Sequence, residues 1–355
     1  MKRLIAIPVA LLLSACAEVP KTMYLDPVPD RSGQSWPVWP KGGDVPRFVY
    51  AGELVGETNF RAAPGAQQST GRTLLAVIAG LSLDNPPQPV VLQRPQGGTV
   101  DGNGRILVSD VSRQAVFVFD AAAGELGVWE WAAEGQRFRA PIGVVALPQG
   151  EVLVADAELG RVVRLSADGK PLGSFGEEEL VRPTGMALDA ASGKLFVADT
   201  RADQIRVFTP DGRLLDSFGQ KGGESGQLNA PTYLAVADGR VYVTDTLNAR
   251  IEVFDTDGRF LSSFGQRGLY VGNLARPKGV AVSTSGVVYV IESYYDYLLV
   301  FDREGNFLLP IGGTGHDPGE FYLPAGVWVD DRDRVFVADM FNGRVSVFQF
   351  LGGEP

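Results

Sequence analysis

Cysteine and histidine are nearly absent from this sequence of 355 residues, which contains one of each, Cys16 and His316. A single thiol forms no internal disulfide bond. A zinc site with several histidine ligands is excluded, and so is a catalytic pair of histidines. We therefore expect no cofactor and no metal site, and we assign no catalytic residue.

Positive charge is also scarce, with 32 lysine and arginine residues against 42 aspartate and glutamate residues and a formal net charge of −10. Proteins that bind nucleic acids gain much of their affinity by neutralising phosphates with basic side chains. An acidic chain has no such general attraction, so we expect no nucleic-acid partner.

The first residues have the composition of an export signal. Lys2 and Arg3 precede an apolar stretch over residues 4–13, and small residues then lead to Cys16. The letters LSAC at residues 13–16 resemble the lipobox of bacterial lipoproteins, in which the cysteine becomes the lipid-modified N-terminus. A plain cleaved signal with an incidental cysteine is the alternative.

The lipobox resemblance implies a place in the cell envelope. Residues 1–15 are the predicted signal peptide, and Cys16 is the predicted site of lipid attachment to the membrane. Ala17 follows the cysteine, and by resemblance to Gram-negative lipoproteins this favours the outer membrane, facing the periplasm or the exterior. Residues 16–44 are rich in proline and glycine and predict a lipid-anchored tether.

Most of the remaining chain is a repeat. Six cassettes open with proline at intervals of 42 to 48 residues, at Pro95, Pro141, Pro183, Pro231, Pro277 and Pro324. Each cassette holds up to four short runs rich in Val, Ile, Phe and Tyr, separated by turn residues. Four antiparallel strands in about 45 residues form one blade of a β-propeller. Residues 95–350 therefore predict an all-β fold, a six-bladed propeller of four-stranded antiparallel blades.

The repeat also predicts how the ring closes. The sixth cassette has only three runs, whereas residues 45–52 resemble the missing fourth. We expect this segment to pair with the third strand of blade six as its closing outer strand, which gives a monomeric propeller without an open edge. Glycine at the third position of most innermost runs predicts close backbone packing, and Tyr233 is the exception.

The cassettes resemble NHL repeats. The resemblance lies in the PxGVAVD-like starts, the FG ending and the segment D-x-x-N-x-R-I/V-x-V-F, which the fourth cassette matches from Asp245 to Phe254. The fifth cassette departs most, with Glu292, Tyr295 and Tyr297 in place of Asp, Asn and Arg. The resemblance implies a six-bladed propeller. Most NHL propellers bind protein, RNA or glycan, and a minority of their relatives are enzymes.

Two segments outside the repeat leave alternatives open. Residues 53–94 form an insertion in which residues 73–83 predict a short apolar helix, either packed on the propeller or acting as a lid or docking element. The WPVWP segment at residues 36–40 either packs on the propeller or contacts the membrane or a partner.

Acidic residues recur at the end of the second run, and this repetition favours a structural role in which carboxylates accept hydrogen bonds from turn N–H groups. Arg161, Arg250 and Arg344 follow five residues later and are placed to pair with them. His316 lies in a Gly-rich loop and is read as solvated; a general base is the alternative.

Departures from the repeat fall in the turns between strands two and three and in the connections between blades, which share one face of a propeller. They predict a partner-binding surface, or else rings that cover a hydrophobic rim, formed by Tyr233, Tyr270, Lys278, Tyr294, Tyr295, Tyr297, Met340 and Phe341. The function indicated is an envelope-anchored, non-catalytic binding or scaffold module that recognises a protein or glycan partner through this face. The alternative is a propeller hydrolase or lyase acting at the central channel with a divalent cation.

Overall fold

A computed structural model describes residues 20–25, 36–42, 44–63 and 88–352. The predicted signal peptide, Cys16 and the predicted helix at residues 73–83 lie outside these ranges.

Six antiparallel sheets form the blades. In blades one to five each strand pairs with the next strand in chain order, whereas in blade six two N-terminal strands follow the third strand. From the innermost strand outwards, blade one contains Pro95–Val100, Ile106–Asp110, Ala115–Asp120 and Glu125–Trp129. Blade two contains Pro141–Ala146, Val152–Asp156, Arg161–Leu165 and Pro171–Phe175. Blade three contains Pro183–Asp189, Lys194–Asp199, Gln204–Phe208 and Leu214–Phe218. Blade four contains Pro231–Ala237, Arg240–Asp245, Arg250–Asp255 and Phe260–Phe264. Blade five contains Pro277–Val282, Val288–Glu292, Tyr297–Phe301 and Phe307–Gly312. Blade six contains Val327–Val329, Arg334–Asp339, Arg344–Phe350, Phe48–Leu54 and Val38–Trp39. The predicted six-bladed, all-β fold is confirmed.

The second strand of each blade is buried on both faces. In blade one every residue of Ile106–Asp110 is buried, whereas the outer strand of blade four, Phe260–Phe264, begins with four exposed residues. A strand without a polar face needs a packing partner on both sides. Neighbouring blades supply it, because the apolar clusters join consecutive blades, such as Leu107 of blade one with Val144 of blade two.

The N-terminal segment closes the ring as predicted. Phe48–Leu54 pairs antiparallel with the third strand of blade six, from Phe48 opposite Phe350 to Leu54 opposite Val345. A fifth strand, Val38–Trp39, was not predicted and pairs beyond it. The Trp39 side chain is buried and meets the ring of Phe348 edge-on at 5.5 Å. The WPVWP segment therefore packs on the blade.

The innermost strands approach each other closely around the axis, as their glycines predict. A Cβ atom built on Gly326 of blade six would lie 2.2 Å from the carbonyl oxygen of Gln96 in blade one. One built on Gly143 would lie 2.4 Å from the carbonyl oxygen of Thr184. Only a residue without a side chain fits at these positions.

A few short elements lie outside the regular strands of the blades. They are the strand pair Lys21–Met23 with Phe60–Ala62, the hairpin Trp131–Ala133 with Gln136–Arg137, and the 3₁₀ turns Glu57–Asn59 and Thr246–Asn248. In the part of the chain that the structure describes, no helix is long and apolar enough to cross a membrane.

Candidate functional site

One face of the wheel collects the variable segments. The end of strand two pairs with the start of strand one in each of blades one to five, as Glu292 does with Pro277. The turns between strands two and three therefore emerge beside the connections that lead into the blades. We call this side of the wheel the connection face.

Buried carboxylates hold the connection face together. Asp110 of blade one accepts the N–H groups of Gln93 and Arg94 at 2.6 and 2.8 Å with one oxygen, and those of Ser112 and Arg113, both at 2.9 Å, with the other. The corresponding acids of the other blades are buried in the same place and accept backbone N–H groups, and they are Asp156, Asp199, Asp245, Glu292 and Asp339. These carboxylates therefore hold the connections and turns in place, which is the structural role that their repetition in the sequence predicted.

Two of the three predicted arginine pairs form. Arg250 lies 2.9 Å from Asp245, and Arg344 lies 2.9 Å from Asp339. Arg161 instead approaches Glu177 at 3.3 Å and the side chain of Gln136. The prediction was wrong for Arg161 because the hairpin at residues 131–137, which spacing alone does not indicate, offers it another partner.

The predicted site residues divide by burial. Tyr270, Tyr294 and Phe341 are exposed by 84%, 62% and 49% respectively. Tyr295 and Tyr297 are half-buried, and the ring of Tyr295 lies 4.9 Å from that of Tyr294. The remaining three predicted residues are less exposed: Lys278 and Tyr233 are half-buried, and Met340 is buried.

Further apolar side chains extend the exposed set across blades four to six. We call the whole set the apolar patch, and it comprises Leu247, Leu269, Tyr270, Val271, Tyr294, Tyr322 and Phe341. The rings of Tyr322 and Phe341 lie 5.5 Å apart, and the Arg94 guanidinium lies over Phe341 at 5.4 Å. The sequence analysis did not predict the aliphatic members Leu247, Leu269 and Val271. Apolar residues in a glycine-rich connection between blades could have indicated exposed side chains there.

Tyr233 spans the central channel. Its hydroxyl donates a hydrogen bond to the carbonyl oxygen of Gln96 at 3.0 Å, from blade four to the opposite blade one. Burial raises the pKa of this phenol above its usual range. The one innermost strand without glycine at the third position therefore closes the axis with its side chain.

His316 is exposed and contacts the side chain of Asn342. Across the described ranges, no group of three or more His, Cys, Asp or Glu side chains is placed to hold a metal ion.

Comparisons with known proteins agree on the fold. A family profile described as a 6-bladed beta-propeller matches residues 273–355. No curated protein matches the sequence. The NHL resemblance is tested by none of these matches and stays a prediction.

Several solved structures are similar in shape. A streptogramin B lyase superposes with a TM-score of 0.56 at 12% identity, covering 75% of this chain and 96% of its own. A virginiamycin B lyase from Staphylococcus aureus gives 0.53 at 13%, covering 73% and 96%. A gluconolactonase from Xanthomonas campestris gives 0.54 at 16%, covering 74% and 89%. Likeness at these identities establishes the propeller fold and not the activity.

Proposed function

We propose that this protein is an envelope-anchored, non-catalytic binding module that recognises a protein partner through the apolar patch. The observation that carries the proposal is the presence of seven exposed large apolar side chains on the connection face of three consecutive blades. Large exposed apolar patches on soluble domains mark interaction sites.

The composition of the patch favours a protein over a glycan. Leu247, Leu269 and Val271 are aliphatic and more than half exposed. Aliphatic side chains beside Tyr and Phe, with an arginine at the edge, match the core and rim of protein interfaces. A glycan remains an outcome that the binding experiment below distinguishes.

The groups that an enzyme at the channel would need are engaged elsewhere. Tyr233 crosses the channel, and the recurring carboxylates at the ends of the second strands accept backbone N–H groups. A hydrolase or lyase with a divalent cation is the second hypothesis, motivated by the lyase and lactonase folds above. A stoichiometric cation in the purified protein would favour it.

Removing two rings of the patch is expected to weaken partner capture. The double variant Tyr294→Ala with Phe341→Ala should bind at least about tenfold more weakly, because aromatic anchors contribute about 2 kcal/mol or more at interfaces. Capture from envelope extract by the immobilised protein measures this, with and without protease treatment of the extract. Protease-resistant capture would identify a glycan instead.

Leu172→Ala is the matched control, because Leu172 is 55% exposed on the outer strand of blade two, away from the patch. It should capture the partner like the wild type. Equal loss in both variants, or none in either, would contradict the assignment of the patch.

Anchoring through Cys16 is a separate proposal, supported by the signal-like sequence before it. Cys16→Ser is expected to shift the protein from the membrane fraction to the soluble fraction, because the acyl chains provide the anchor. Fractionation and the intact mass of the mature protein measure this. An unmodified mass for the wild type would refute the proposal.

A further inference from the structure

In blades three and four, threonine hydroxyl groups lie where the innermost strands begin at the connection face. In blade three Thr184 follows the opening proline, and its hydroxyl contacts that of Thr200 at 2.8 Å. Blade four repeats the pair, with Thr232 and Thr246 at 2.7 Å. These hydroxyls are satisfied, since Thr200 and Thr246 also donate to the carbonyl oxygens of Pro231 and Pro277 at the start of the following blade.

Blade five places different groups at the same two positions. Lys278 follows the opening proline, and Ser293 follows the acid at the end of strand two. The Ser293 hydroxyl is 1% exposed and has no hydrogen-bond partner. The Lys278 ammonium makes no hydrogen bond or ion pair with any residue that the structure describes. A buried hydroxyl and a half-buried cation without protein partners need water or a ligand to satisfy them.

Two more cations act electrostatically on Lys278. Burial first, and then the positive charges of Arg276 and Arg94, lower the pKa of Lys278 to about 8. Arg276 and Arg94 are exposed, directly precede the opening prolines of blades five and one, and make no ion pair within the described ranges. Lys278 and Arg276 are thus two residues apart, and the charge of Arg94 acts on Lys278 from blade one, in a protein whose net charge is −10.

The surrounding elements offer them no free negative charge. The carboxylates of Glu292, Asp339 and Asp110 face this region from blades five, six and one, and each is buried and accepts backbone N–H groups. The other groups at the mouth are neutral: the threonines of blades three and four, Met340 of blade six, and Gln96 with Tyr233, which close the channel below.

We propose that the channel mouth binds an oxyanion, the carboxylate, sulfate or phosphate group of a small ligand, between Lys278, Arg276 and Arg94, with the Ser293 hydroxyl as a further donor. The hydrogen bond from Tyr233 to Gln96 across the channel would form the floor of this site. The site adjoins the apolar patch, because Arg94 also lies over the ring of Phe341, but oxyanion binding does not depend on a protein partner. Its chemistry is binding alone, and no covalent step is proposed.

Sulfate is the best probe, because its charge is constant across the range in which Lys278 titrates. Calorimetric titration near neutral pH is expected to show binding to the wild type, and chloride at equal ionic strength should not reproduce it. Acetate and phosphate titrated in parallel identify which oxyanion binds most tightly. Binding of any one of the three beyond chloride supports the site, and binding of none refutes it.

Lys278→Met should weaken sulfate binding at least about tenfold, and Lys278→Arg should restore most of it, since a buried cation–oxyanion pair is worth at least about 1.4 kcal/mol. Lys221→Met is the matched control, because the Lys221 side chain is 80% exposed and should not matter. Equal effects of Lys278→Met and Lys221→Met would overturn the proposal.

The wild type alone gives an independent test. Lys278 with a pKa of about 8 loses its charge as the pH rises past that value. Sulfate affinity should therefore fall across this range, well below the ordinary lysine pKa. An affinity that stays constant up to about pH 10, the range of an ordinary lysine, would refute the role of Lys278 even if the variants failed to fold.

Discussion

Gly326→Ala is expected to destabilise the propeller by about 3 kcal/mol or more, the upper end of the overpacking range. The added Cβ atom would lie 2.2 Å from the carbonyl oxygen of Gln96 and 3.0 Å from the Cα atom of Gly97. Both neighbours are backbone atoms of an innermost strand, so no side chain can turn aside. Relief requires blades six and one to separate at the axis, where they close the ring.

Urea unfolding of the wild type and the variant measures this loss. Gly102→Ala is the control, because a Cβ atom there has no neighbour within 4 Å and Gly102 lies outside the left-handed region. We expect the control to change stability by less than about 0.5 kcal/mol, as surface substitutions do. Similar effects of both substitutions would show that the close approach of the innermost strands does not limit stability.

Arg344→Met is expected to cost about 3–5 kcal/mol, the range for removing one partner of a buried ion pair. The guanidinium lies 2.9 Å from Asp339, 2.9 Å from Glu53 of the closing N-terminal strand, and donates to the carbonyl oxygens of His316, Asp317 and Glu320. Without it Asp339, which is fully buried, loses its positive partner. The closing strand loses its only ion pair to blade six within the described residues.

The cost should depend on pH. Burial raises the pKa of Asp339 above its ordinary value of 3.8. The folded protein therefore binds this proton more readily than the unfolded chain, and stability falls as pH rises above that value. Removing Arg344 enlarges this effect, so the variant should be penalised less near pH 4.5 than at about pH 7. Thermal unfolding at both pH values measures it, and an equal penalty at both would contradict the account.

Arg303→Met is the matched control for Arg344→Met. Arg303 pairs with Asp238 on the surface, where the two side chains are 40% and 59% exposed. Exposed pairs contribute about 0–1 kcal/mol. A loss for Arg303→Met as large as that for Arg344→Met would mean that burial of the Asp339 pair is not what makes it matter.

The repeat predicted most of the fold because the sequence pattern within each cassette specifies its strands and turns locally. Apolar runs of about five residues between turn residues specify strands, and their recurrence specifies the ring. The role of the recurring acidic residues could also be predicted, because six equivalent carboxylates favour a structural role over a catalytic one. Even Glu292, a departure from the pattern, accepts N–H groups from Ala275 and Arg276 as its aspartate counterparts do from theirs.

Residues without a repeat partner were harder to place. Met340 and Phe341 are adjacent in the sequence, yet the first is buried and the second is half exposed. Spacing did not indicate the hairpin at residues 131–137, which takes Arg161 away from its expected partner. Whether a turn residue is exposed depends on the connection that packs over it, and that connection comes from another part of the chain.

The sequence alone determined the number of blades, the segment that closes the ring and the residues that hold the connections, because these follow from local patterns repeated at a fixed period. Only the tertiary structure decided that Tyr233 reaches across the axis to Gln96, and that the charge of Arg94 before blade one acts on Lys278 in blade five. Such contacts join residues that are far apart in the chain, and their distance depends on the radius of the closed wheel rather than on any local pattern.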